Sequence, residues 1–189
     1  MLLEEEKLDV NLAELIQGET PLFIVSKTGH INISCLLLSV PEIDVNKHTV
    51  QRKSPLIAAS TGGHIEIARM LLAHPEIDAN FLDYEGRNAL LHAVINRSSD
   101  NELLNLLILC PSLDIYHRDE NGNNVISYAD EFQNTDIFID PTYVFRKRKE
   151  GHTCCSHKVN NGLQVASEVG DIIMVKSFLV SEPDVKPIH

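Results

Sequence analysis

The sequence repeats itself with a period of 34 residues. When it is shifted by that length, residues 20–53 lie over residues 54–87 without a gap, and fourteen of the thirty-four positions are identical. A fixed period in this range is typical of proteins built from stacked units, each too small to bury its apolar face alone. The chain is therefore predicted to fold as an array in which neighbouring units cover one another.

The period divides the chain into six segments. We predict a partial first unit at 1–19, full units at 20–53, 54–87 and 88–123, a degenerate unit at 124–160 and a last unit at 161–189. The third unit closes two residues late, and the extra pair is placed near residues 96–99. The chain is expected to begin halfway through a unit.

Each unit predicts two helices followed by a loop. In the second full unit, Ser54 is a helix N-cap and Pro55 occupies the first helical position, where its missing N–H costs nothing. Gly63 ends this helix by adopting a left-handed conformation. Apolar residues at helical spacing in 65–72 predict a second helix. The turn-forming residues in 78–87 predict a finger-like loop that leads to the next unit. The absence of tryptophan and an aromatic content of only 5% also favour helices packed on helices.

These features resemble the ankyrin repeat family. The resemblance rests on the 34-residue spacing and on short motifs: T-P-L at 20–22, Gly-His at 29–30 and 63–64, and I-D-V-N at 43–46. It implies an all-α solenoid of stacked antiparallel helix pairs with finger loops and an irregular fourth repeat. It also implies that finger tips and inner helices form a concave surface that binds proteins.

One departure from the family concerns the histidine that usually follows T-P-L. This chain has other residues there: Phe23, Ile57, Leu91, Ser127 and Gln164. The hydrogen-bonded bridge that the family forms with that histidine is unavailable, so we expect stability to depend more on apolar packing.

The fourth unit admits two arrangements over residues 133–160. In one, residues 135–140 form a short second helix and 141–160 form a long insertion. In the other, Asp140 caps a helix that starts at Pro141, and Gly151 follows its end. We favour the second arrangement because both helix-end signals are present.

The charge balance excludes some partners. Sixteen basic and twenty-seven acidic residues give a net charge of −11, which repels nucleic acid and anionic membranes and favours a partner with a basic surface. No signal peptide and no apolar stretch long enough to cross a membrane are found. With four cysteines and no secretory signal, we expect reduced thiols and a cytoplasmic location. Cys35 and Cys110, on leucine-rich helical stretches, are predicted to be buried.

A weak zinc-ligand pattern lies in the fourth unit. His152, Cys154, Cys155 and His157 have the right ligand types, but adjacent cysteines and the H-x-C-C-x-H spacing fit chelation poorly. The default interpretation is a solvated finger, with no metal or other cofactor.

Partner-binding residues are predicted among those that the repeat itself does not need. Tyr84, Arg87 and Tyr116 rank first, because Tyr and Arg are frequent interface anchors. Other finger positions are His48, Gln51, Arg52, His117 and Arg118, and inner-helix positions are Lys27, Thr61, His92 and Glu131. Asn11, Asn46 and Asn80 are predicted to hydrogen-bond the backbone in the turn after each second helix. The family resemblance also implies hydroxylation of such asparagines, here Asn46 and Asn80.

The leading functional hypothesis is a monomeric adaptor or scaffold that binds another protein and is not an enzyme, since no catalytic constellation is present. The first alternative is the targeting or regulatory portion of a larger enzyme, or of a microbial effector delivered into host cytosol. Neither end of the array shows a polar capping repeat, which favours this alternative. The second alternative is a zinc-stabilised binding module.

Overall fold

The computed structural model describes residues 9–96 and 101–131, and all the regular secondary structure in these ranges is α-helical. The helices are α1 (Pro21–Thr28), α2 (Ile31–Leu38), α3 (Pro55–Gly62), α4 (Ile65–Leu72), α5 (Ala89–Ile95), α6 (Asn101–Ile108) and α7 (Val125–Glu131). The all-helical repeat architecture predicted from the sequence is confirmed.

The first helix of each unit begins where its cap predicts. The Thr20 hydroxyl accepts a hydrogen bond from the Phe23 N–H at 3.1 Å, and α1 starts at the next residue, Pro21. Ser54 does the same for α3, and the Asn88 side chain caps α5. Each cap satisfies one of the backbone N–H groups that a helix start leaves without a partner.

The helices stack in two rows. In the inner row α1 packs on α3, α3 on α5, and α5 on α7, while in the outer row α2 packs on α4 and α4 on α6. The core lies between the rows and is continuous from unit to unit. Its fully buried side chains include Leu22, Leu56, Ile67, Leu71, Leu90, Leu103 and Leu107. Burying each side chain of this size contributes about 1.5–3 kcal/mol.

The third unit carries its two extra residues between its helices. The first residues of α5 and α6 are twelve positions apart, whereas those of α1 and α2, and of α3 and α4, are ten apart. This agrees with the insertion predicted near 96–99, although residues 97–100 lie outside the described ranges.

Asparagine side chains bridge successive units. Asn46 donates from Nδ2 to the Glu76 carbonyl at 2.7 Å and accepts from the Asp78 N–H at 2.8 Å. Asn11 and Asn80 make the same pair of bonds to the units that follow them. The predicted asparagine–backbone bonds are therefore present. They connect neighbouring units, so polar contacts between units do not depend on the absent family histidine.

A second bridge comes from His64, the histidine of the second Gly-His pair. His64 Nε2 lies 3.1 Å from the Lys27 carbonyl, and because a carbonyl can only accept, Nε2 carries the proton. The His64 ring packs so closely that a Cβ added at Gly29 or Gly62 would lie 2.6 Å from it. Glycine at these two positions thus makes room for the histidine bridge.

The predictions for the two cysteines have different outcomes. Cys110 is buried as predicted, but Cys35 is exposed, so its predicted burial is wrong. The reason is its repeat position, which matches the exposed Arg69 of α4 rather than the buried stripe. Both arrangements predicted for 133–160 lie outside the described residues.

Candidate binding surface of the fingers

Four finger loops connect the units; the last three share one turn, and the first forms a turn that is one residue longer. We define finger one as residues 14–19, finger two as 47–53, finger three as 81–87 and finger four as 117–123. A backbone hydrogen bond closes each turn: from Glu14 to Glu19 at 3.0 Å, Thr49 to Lys53 at 3.1 Å, Asp83 to Arg87 at 3.1 Å, and Asp119 to Asn123 at 2.9 Å. The fingers are thus variants of one local structure, and differences between them arise from side chains.

The shared turn requires one residue with positive φ. Gly18, Gly86 and Gly122 fill this position in fingers one, three and four, with φ of 69°, 70° and 80°. Finger two has Arg52 there, at φ 55°. A side chain at positive φ costs on the order of 1 kcal/mol, and glycine avoids this cost.

Backbone hydrogen bonds join finger one to finger two and finger three to finger four. The Val50 N–H donates to the Gln17 carbonyl at 2.8 Å, and the Glu120 N–H donates to the Glu85 carbonyl at 3.2 Å. One tip position, repeated from finger to finger, carries Ile16, Val50 and Tyr84, whose side chains are 78%, 54% and 64% exposed. We call these three side chains the tip row.

Fingers three and four each close around a buried carboxylate. Asp83 Oδ1 accepts from the backbone N–H groups of Glu85 and Arg87, both at 2.9 Å, and its Oδ2 accepts from His92 Nε2 at 2.7 Å. In finger four, Asp119 accepts two backbone N–H groups of its own turn and the Tyr128 hydroxyl. Each carboxylate therefore ties its finger to the inner helix that follows.

Burial changes the pKa values of these groups. Burial lowers the pKa of His92, against the opposing effect of Asp83, so the ring is neutral at physiological pH. Burial raises the pKa of Tyr128, and the hydrogen bond to Asp119 adds to this effect. Burial alone would raise the pKa of Asp119, but hydrogen bonds from Tyr128 and the backbone outweigh it and the pKa is lowered.

Finger two has cations and no carboxylate. The Arg52 guanidinium lies over the Phe81 ring, 5.7 Å from its centroid, and the His48 ring lies 5.1 Å from the same ring. Lys47 and Lys53 complete its charged residues, and the sequence contains no acidic residue between positions 45 and 65. Finger two is therefore the locally basic part of the finger surface.

Beside finger two, the fingers and the inner helices share a shallow depression. Its volume is about 150 Å³, and its lining includes Phe23, Lys27, Gln51, Lys53, Thr61 and Gly62. Lys27 pairs with Glu19 at 2.8 Å, and the Thr61 hydroxyl donates to the Ile57 carbonyl. The structure thus brings the predicted Lys27, Gln51 and Thr61 together on one surface.

The predicted finger residues differ in their exposure and in the contacts that their side chains make within the protein. Tyr84, His48, Gln51 and Arg52 are exposed. Arg87 is only 22% exposed and pairs with Glu85 and with Asp119, whose Oδ2 lies 3.9 Å away. The remaining three are engaged locally: Tyr116 packs against the core, His117 Nε2 bonds to the Gly86 carbonyl at 2.7 Å, and Arg118 donates to the Gly122 carbonyl at 2.9 Å.

His92 does not lie on the concave surface, and its assignment there is corrected. It is 5% exposed and bonded to Asp83. The error is one of register, because His92 corresponds to Ala58 of the preceding unit, and Thr61 corresponds to Ile95. The side chain of Glu131 lies outside the described part of the structure.

The sequence analysis missed Val50 and Phe81. Val50 takes the same repeat position as Tyr84, so comparing units position by position would have found it. Phe81 gave no such signal, because only the fold brings it under the Arg52 guanidinium.

No group of three or more metal-binding side chains occurs among the residues that the structure describes. The weak zinc candidates His152, Cys154, Cys155 and His157 lie outside those residues. Within 9–96 and 101–131, no helix has the length and apolar character needed to cross a bilayer.

Comparison with known proteins agrees with this architecture. A family model described as "Ankyrin repeats (3 copies)" matches residues 1–83 and again residues 35–119. The chain belongs to the ankyrin repeat family, whose members are generally non-catalytic modules for protein–protein interaction. Among curated proteins, none matches the chain.

Proposed function

We propose that this protein is an adaptor or scaffold that binds a partner protein through its finger tips and the adjoining inner helices. The family supplies the general role in protein binding. The exposed tip row and the depression beside finger two supply the particular surface.

The observation that carries the proposal is the exposure of Val50 and Tyr84. Other exposed apolar residues, such as Ile33 and Leu36, lie on α2, the first of the outer helices described. Val50 and Tyr84 lie instead in fingers two and three, which have a neighbouring finger on each side. Their exposure is therefore a property of the surface itself, and apolar side chains exposed at one repeated position are candidates for contact with a partner.

The tip row also has the rigidity that a binding surface needs. Its backbone is held by bonds within each finger and by the bond between Val50 and Gln17. A side chain presented on an ordered backbone loses less entropy on binding, and tyrosine contributes a large contact area with few rotatable bonds.

Affinity capture from a cell extract tests the proposal, with the whole chain as bait and the bound proteins identified by mass spectrometry. A double variant, Val50→Ser with Tyr84→Ala, should lose the captured partner, with affinity reduced by roughly tenfold or more. A control variant, Leu36→Ser, removes an apolar side chain that is 69% exposed on the outer helix α2. It should retain the partner. Retention of the partner by the double variant would contradict the proposal, whether or not the control also retains it.

A further inference from the structure

We infer that finger two recognises an acidic segment of the partner, with Arg52 binding a carboxylate and the tip row receiving an adjacent apolar side chain. This inference rests on the proposed function and specifies the chemistry of the partner at that surface.

The backbone of finger two gives the first reason. Arg52 is the one non-glycine residue with positive φ in the described ranges. Fingers three and four make the same turn with glycine, so the turn itself gives no reason for arginine. A residue held in a sparsely populated conformation points to a role for its side chain.

The surroundings of the guanidinium give the second reason. Arg52 is exposed and lies over Phe81, so one face of its guanidinium is supported while its N–H groups remain accessible. A supported planar guanidinium is suited to bind a carboxylate through two parallel hydrogen bonds.

Among the residues that the structure describes, Arg52 differs from three other cations in having no carboxylate partner. Lys27 pairs with Glu19, Arg69 with Glu102, and Arg87 with Glu85. In contrast, no carboxylate of the described part of the chain lies within 4.0 Å of the Arg52 guanidinium. Lys47 and Lys53 add positive charge without a carboxylate in the same loop.

The net charge of −11 opposes an acidic partner, but only at long range. At physiological ionic strength, charges on the surface are screened beyond about 8 Å. The local charge of finger two therefore decides the sign of the interaction at Arg52, while the remaining surface favours basic groups elsewhere on the same partner.

The side chains near Arg52 indicate which kind of residue should accompany the acidic residue in the partner segment. Val50 lies two residues before it in the same finger, and Tyr84 occupies the equivalent tip position of finger three. A partner segment with Asp or Glu beside a large apolar residue would pair with Arg52 and pack against the tip row at the same time.

The test uses the whole chain to select binders from a display library of random peptides. Selected peptides should be enriched in Asp or Glu next to Leu, Ile or Phe. A selected peptide made with Asn and Gln in place of its acids should bind roughly tenfold more weakly or worse, and Arg52→Gly should weaken the acidic peptide to a similar degree. Arg52→Lys should fall between the wild type and Arg52→Gly, because a lysine lacks the planar pair of donors.

Urea denaturation separates loss of binding from loss of folding. Arg52→Gly should be at least as stable as the wild type, because glycine suits positive φ. Weaker binding by a variant that is equally or more stable supports the inference.

The outcomes also distinguish this inference from the proposed function. If peptides bind, depend on Val50 and Tyr84, but are indifferent to Arg52 and to their own acids, the inference is wrong and the proposed function stands. If selected peptides bind without any dependence on the tip row or on Arg52, both are wrong.

Discussion

Fingers two and three follow the same backbone turn but use their side chains in opposite ways. Finger three buries one of its carboxylates, Asp83, which accepts hydrogen bonds from two backbone N–H groups and from His92. Finger two has Thr49 in place of that aspartate, and its charged residues are all basic. Glycine makes the tight turn in finger three, and arginine makes it in finger two.

The difference shows how a repeat divides structural and binding roles. A buried carboxylate stabilises a finger and fixes it to the next helix, but its oxygen atoms are then not available to bind a partner. Where Thr49 replaces the carboxylate, a single hydroxyl accepts from the Lys53 N–H at 3.2 Å, and the finger displays its cations. We therefore expect finger three to be more important for stability and finger two for binding.

The largest expected effect is on Asp83. Asp83→Ala leaves two backbone N–H groups and a buried His92 without their acceptor and should lower the free energy of unfolding by about 3 kcal/mol. The matched change in finger two, Thr49→Ala, removes one hydroxyl bond and should cost about 1 kcal/mol. Urea denaturation of both variants measures the difference. Equal losses would show that the two fingers are stabilised to the same degree.

Removing a side chain at the positive-φ position of finger two and adding one at that of finger three should change stability in opposite directions. Arg52→Gly removes strain and should raise stability by up to about 1 kcal/mol. Gly86→Ala adds a side chain at φ 70°, where its Cβ would lie 3.1 Å from the Glu120 backbone nitrogen, and should cost about 1–2 kcal/mol. Thermal unfolding of the two variants is the measurement. A loss of stability in Arg52→Gly would mean that its contact with Phe81 outweighs the strain.

The smallest expected effect is a pH dependence in finger three. Because burial lowers the pKa of His92 below its ordinary value of 6.5, the unfolded chain takes up a proton that the folded chain excludes. Stability should fall as pH drops below 6.5 toward the lowered pKa, by no more than about 1.4 kcal/mol per pH unit. His92→Tyr, which copies Tyr128 of the next unit, should remove this slope. If the variant kept the same slope, the pH dependence of stability would come from titratable groups other than His92.

The 34-residue period was enough to predict the fold, because every unit carries its own caps, glycines and apolar stripe. It also placed Tyr84 on the surface. It gave no sign that Arg87 and Tyr116 are partly buried, because this depends on groups brought close by folding, such as Asp119 beside Arg87. The assignment of His92 was wrong by three positions, because His92 takes the repeat position of the buried Ala58, whereas Lys27 and Thr61 share the position of Ile95. The contact between Arg52 and Phe81 joins successive fingers and has no signal in either loop alone.

Backbone hydrogen exchange, measured with and without a captured partner or selected peptide, tests the central claim most directly. The account predicts slower exchange on binding in residues 47–53 and around Tyr84, with little change in the outer helices α2, α4 and α6. Protection confined to those outer helices, with the fingers unchanged, would contradict it.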